Sequence, residues 1–111
     1  MKAGLNMPIS VDDDNFDKEV LNARGIVLAD FYSDSCGPCR RVSPVLNELE
    51  EAYKSRIKLA KINVNCDAKL ARKYVVSAVP TIVFFKDGEE SARIVGAADK
   101  SEYSSVIDNL I

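Results

Sequence analysis

A chain of 111 residues is sized for one domain spanning residues 1–111, able to bury roughly two thirds of its unfolded surface in a single core. Its 15 Lys and Arg against 17 Asp and Glu leave a formal charge of −2, so no basic field exists to draw nucleic acid or an acidic membrane. Apolar and charged fractions of 47% and 29% are those of an ordinary globular protein, and three cysteines speak against a secreted disulfide scaffold.

In chain order, the opening "MKAGLNMPIS" has no apolar leader core and no cleavage pattern, so export is not expected. A short apolar segment around Ile9 to Val11 precedes the acidic run Asp12-Asp13-Asp14. That run offers N-caps to a helix carrying Phe16, Val20 and Leu21 and ended by Gly25. "IVLADFY", residues 26–32, is a nearly continuous apolar run, which predicts a strand covered on both faces. From Cys36 to about Lys54 the pattern is helical, with Val42, Val45, Leu46, Leu49 and Tyr53 on one side and Pro44 expected to kink it.

"KLAKINV", residues 58–64, predicts a second buried strand, and a short helix over 68–74 follows it. "TIVFF" and "SARIVG" flank "KDGEE", where Asp87-Gly88 signals a hairpin. Asp99 and Glu102 fit a capping box for a last helix. The order β-α-β-α-β-α-β-β-α implies an α/β fold: a mixed sheet, parallel in its first part, with helices on both faces. The apolar runs are too short to span a bilayer. The chain therefore reads as cytoplasmic, a compartment where a close cysteine pair is more often catalytic or metal-binding than structural.

That pair is Cys36-Gly37-Pro38-Cys39, placed after a strand and at the mouth of a helix. Sites in open α/β sheets form outside the carboxyl ends of strands. Gly37 and Pro38 suit a first helical turn, where a missing proline N–H costs nothing. Cysteines at i and i+3 there have α-carbons about 5 Å apart, within reach of a disulfide. Unpaired N–H groups and the positive end of the helix dipole favour a Cys36 thiolate. Cys39, one turn inside, is the more shielded and suits a resolving role. A zinc site would need four ligands, and without histidine it would have to combine Cys36, Cys39, Cys66 and a carboxylate. A structural disulfide closing so small a loop would stabilise little. A redox couple is the better reading.

Asp30 alternates with Ile26 and Leu28, which predicts a carboxyl buried beneath the start of the helix. Burial raises its proton affinity toward neutral pH, so it reads as the proton acceptor for Cys39. The other reading is a buried aspartate paired with Lys61. Pro80 either simply opens a strand or carries a cis Val79–Pro80 bond. Cys66 has no obvious partner. It is either an incidental small residue or a site of oxidation or dimerisation.

Together these residues resemble the thioredoxin family. The likeness rests on "DFY" before "CGPCR", Pro44 in the following helix, "AKINV" with Lys61, "VPTIVFFKDGE", and "VGA" at 95–97. It implies a thioredoxin fold, a central five-stranded mixed sheet with four helices, and reduction of protein disulfides through a reversible Cys36–Cys39 bond. Disulfide isomerisation or oxidation, and protein binding without chemistry, are the alternatives.

On the resemblance, Cys36 is the nucleophile, Cys39 the resolving thiol, and Asp30 the proton acceptor with Lys61 beside it. Pro80 is a cis-proline facing the cysteines, Val79 offers main-chain hydrogen bonds to a substrate strand, and Ser35, Gly96 and Ala97 complete the docking surface. No bound cofactor or metal is implied. The implied partners of a monomer are disulfide-containing targets and thioredoxin reductase, usually an NADPH-dependent flavoprotein and sometimes ferredoxin-linked, in an electron-transport role serving cell redox homeostasis. The chain departs from the family at two places. Ser35 and Tyr32 stand where tryptophans are usual, and with no Trp anywhere the docking surface is expected to be thinner and the Cys36 side more open.

Overall fold

The computed structural model describes residues 8–111; the expectation about a leader falls on residues 1–7 and lies outside them. β1 (Ile9–Ser10) leads through a one-turn helix at Asp17–Leu21 to β2 (Ile26–Tyr32), which feeds α1 (Gly37–Tyr53). A 3₁₀ turn (Lys54–Arg56), β3 (Ile57–Asn63) and α2 (Ala68–Lys73) follow, then β4 (Thr81–Lys86), β5 (Glu89–Val95) and α3 (Lys100–Leu110). The strands form one sheet in the order β1-β3-β2-β4-β5. The first three pair in parallel, and β4 and β5 are antiparallel to their neighbours. Among the described residues no helix is long and apolar enough to cross a membrane.

The side-chain period of two along each strand divides the core between the faces. Ile26, Leu28, Ile57, Leu59, Ile82 and Phe84 pack under Val42, Leu46 and Leu49 of α1 and Tyr103 and Ile107 of α3. Val27, Ala29, Phe31, Ala60, Ile62, Val83 and Phe85 meet Phe16, Val20 and Leu70 on the other face. Alternation therefore directs Asp30 to the α1 and α3 face, where the parallel register places it beside Lys61.

Three local expectations are corrected. The acidic run caps a loop and not a helix: Asp12 Oδ1 accepts the N–H groups of Asp14 and Asn15 at 3.0 and 3.1 Å, and Asn15 Oδ1 accepts that of Asp12 at 2.7 Å. With those residues committed, the helix shrinks to Asp17–Leu21, a wide turn in which Asn22 N–H reaches back five residues to Asp17 O at 2.8 Å. The Asp99–Glu102 capping box does not form. Asp99 makes no side-chain cap, and the Glu102 N–H is taken by the Asp99 carbonyl at 3.0 Å. Elsewhere strands and helices begin and end within a residue or two of expectation, and α1 runs on past Pro44.

The hairpin is as its sequence signals. Asp87 and Gly88 have φ of 50° and 87°, the conformation of a two-residue type I′ turn. Asp87 Oδ1 also accepts the Gly25 N–H at 2.7 Å, and Asp87 N–H returns to Gly25 O at 2.9 Å. This ties the hairpin to the entry of β2.

Candidate active site

Cys36 is the N-cap of α1, with extended backbone, and its Sγ accepts the Cys39 N–H at 3.1 Å. Gly37 and Pro38 occupy the first helical positions. One orphan N–H of the helix end thus points at sulfur, the arrangement that favours negative charge there once the bond is reduced. Cys36 and Cys39 are joined as a disulfide, with α-carbons 5.2 Å apart. The two sulfurs are not equivalent: Cys36 is half-buried, whereas Cys39 is 5% exposed. Among the described residues no group of three His, Cys, Asp or Glu side chains is placed to hold a metal, and Cys66 lies apart, free and exposed.

On the sheet face that α1 covers, Asp30 is 1% exposed. Its Oδ2 is 3.5 Å from Lys61 Nζ, and its Oδ1 has no partner among the described residues. Burial outweighs the nearby ammonium and lifts the carboxyl from 3.8 to about 6. Asp30 is thus paired with Lys61, and burial brings its carboxyl toward neutrality.

The Val79–Pro80 bond is cis, and the Val79 carbonyl oxygen lies 3.6 Å from Cys36 Sγ. Pro80 is buried; its carbonyl accepts the N–H of Gly96, a residue at φ 86°. This bond brings the Gly96–Ala97 turn, with Ala97 exposed, to the cis-proline. Ser35 is exposed just before Cys36. A cleft of about 450 Å³ adjoins Val79 and runs between Ser33, Asn65, Arg72 and Ser77.

The thioredoxin family model matches residues 7–109. The chain belongs to the thioredoxin family. It is 42% identical over 101 residues to a thioredoxin of Pyropia yezoensis, covering 91% of this chain and 94% of that protein. It is 38% identical over 100 residues to a thioredoxin of Pseudomonas aeruginosa, covering 90% and 93%. Thioredoxin M5, chloroplastic, of Oryza sativa is 34% identical over 103 residues, 93% of this chain and 60% of that protein. Family membership and the closed Cys36–Cys39 bond make it a thiol–disulfide oxidoreductase acting on protein disulfides.

The Tyr32 ring carries the Lys61 ammonium 4.8 Å from its centre, a cation–π contact. Burial and the Asp34 charge push the Tyr32 hydroxyl upward. Three further polar residues escaped sequence reasoning. Ser43 Oγ accepts from Lys61 Nζ at 3.1 Å. Glu50 is buried and accepts the Leu59 N–H at 3.1 Å. The Tyr103 hydroxyl is buried without a hydrogen bond among the described residues. Glu50 had a signal, since it follows Leu49 and lies four residues after Leu46 on the buried stripe of α1. Ser43 had one too: it stands four residues after Cys39, on the same helix face.

Proposed function

We propose that this chain works as a protein-disulfide reductase in which Cys36 attacks and Cys39 resolves. What carries the reading is the asymmetry at the helix mouth: a half-buried Cys36 whose sulfur accepts a helix N–H, joined to a shielded Cys39 on the helix that covers the sheet face of the buried Asp30. In the reduced form the Cys36 thiolate attacks a target disulfide, forming a Cys36–target bond and expelling one target thiolate, which takes up a proton. Cys39 then gives its proton to the Asp30 carboxylate, and its thiolate attacks Cys36 Sγ. The mixed disulfide breaks as the Cys36–Cys39 bond forms, and the second target thiolate leaves and is protonated. Two electrons pass from the cysteine pair to the target.

Ser35, the Val79–Pro80 corner and the Gly96–Ala97 turn are proposed as the docking surface, with Val79 offering its main chain to an extended target segment. Lys61 offsets the burial of Asp30. No bound cofactor is required by this exchange. Electrons return from a partner reductase, proposed as an NADPH-dependent flavoprotein, and the cysteine usage suits a reducing cytoplasm.

The test is turbidimetric reduction of insulin with dithiothreitol as donor. Folded protein that gives no acceleration overturns the reading. Cys39→Ser is expected to trap targets as stable mixed disulfides through Cys36, and Cys36→Ser to trap none.

A further inference from the structure

Lys61 is held at three points. Its ammonium is 3.5 Å from Asp30 Oδ2, donates to Ser43 Oγ at 3.1 Å, and lies 4.8 Å over the Tyr32 ring. Asp30 and Tyr32 sit on β2, but Ser43 reaches across from α1. A lysine has a flexible four-carbon stem, and here it faces open space. Cys39, Ser43 and Lys61 share the wall of a cleft of about 230 Å³ with Tyr32, Asp34 and Arg40. The Lys61 side chain is 22% exposed to it. Cys39 and Ser43 are one helical turn apart, so the resolving thiol and the hydroxyl project on the same face.

We propose that Ser43 is a positioning residue for proton transfer: its hydroxyl pins the Lys61 ammonium against Asp30, keeping that carboxyl ionised and able to take the Cys39 proton at neutral pH. The inference rests on Asp30 being the acceptor for Cys39. Two effects oppose each other at Asp30, and Coulomb attraction falls with separation. A Lys61 released into the cleft leaves burial unopposed, and the carboxyl holds its proton more tightly.

Other groups around the pair are few. Asp34 and Arg40 line the same cleft. The Tyr103 hydroxyl on α3 is near enough to feel the Asp30 charge. Cys66 acts on Tyr32 from beyond it. From β4 the register neighbour of Asp30 is Ile82, which carries no charge.

The test is the pH dependence of single-turnover insulin reduction between pH 5 and 9 by pre-reduced native, Ser43→Ala and Ser43→Thr proteins. Carboxyl carbon NMR of Asp30 in the reduced state is read alongside. Losing one hydrogen bond to a charged group is expected to raise the midpoint of the acid limb and of the Asp30 titration by about 0.5–1 pH unit, ~3–10-fold in proton affinity. Ser43→Thr retains the hydroxyl and is expected to keep the native midpoint. In a Lys61→Met background the Ser43→Ala shift should vanish, because the hydroxyl acts only through the ammonium.

A native midpoint in Ser43→Ala, an Ala-like midpoint in Ser43→Thr, or a shift that survives Lys61→Met overturns the proposal. Asp30→Asn separates the two layers. The Cys36 thiolate contributes an acid limb of its own, so the reading is the part of the profile that Asp30→Asn changes. A profile identical to the native one in Asp30→Asn overturns the acceptor role itself, and a profile altered there but unmoved in Ser43→Ala overturns the role of Ser43 alone.

Discussion

Burial lifts the Asp30 carboxyl to about 6 from 3.8, and the sign of its effect on stability follows. The folded state binds this proton more tightly than the unfolded chain does. The benefit is therefore fully present below the unfolded value and is lost as pH rises through about 6. Above that, a buried charge is carried at a cost of about 3 kcal/mol relative to its protonated form. Asp30→Asn, which keeps the shape without the charge, is expected to stabilise the oxidised protein by about that amount at pH 8, with the gain gone near pH 4. Urea unfolding at the two pH values checks it. A gain independent of pH would assign the effect to packing. The position of Asp30 was legible because alternation with Ile26 and Leu28 fixes the face, whereas its hold on Lys61 through Ser43 was not, since nothing local in either strand says which helix side chain reaches over.

At the scale of elements, two tethers invite substitution. Glu50 on α1 accepts the Leu59 N–H of β3, and burial raises its carboxyl above the ordinary range. Glu50→Ala orphans a buried N–H and is expected to cost ~1–3 kcal/mol. Glu50→Gln keeps an acceptor and is expected to lose far less at pH 7, as denaturant midpoints would show. In the hairpin, Gly88 combines a φ of 87° with a Cβ position that would run into the Leu21 carbonyl. Gly88→Ala is therefore expected to destabilise by roughly 1–3 kcal/mol, measured the same way. A neutral result would mean the turn can move away from Leu21. Asp87-Gly88 announces this hairpin because few residues tolerate positive φ. The first helix misled for the opposite reason: Asp12 and Asn15 have helix-capping chemistry, but they use it to close the loop before the helix, leaving a single wide turn.

Across the whole molecule, the sheet is protected at its two rims by different means. β1 is two residues long, and β5 exposes Glu89, Glu90 and Ser91, with Arg93 paired to Glu90 at 2.9 Å. Short strands and charged edges discourage pairing with another copy. Sedimentation at tens of micromolar is expected to show a monomer, and a dimer there would mean that a rim is open to partners. The architecture was readable because alternating periodicity survives tertiary packing. Both faces of β2 and β4 are covered, and their apolar runs say so.

The contrast in exposure between the two sulfurs reaches into kinetics. On the proposed exchange, in which Cys36 alone meets other proteins, client and electron donor would have one berth between them and take turns. A shuttle of this kind never carries both at once, so initial rates with a reductase and a protein disulfide should trace parallel double-reciprocal lines, and an excess of either passenger should shut out the other.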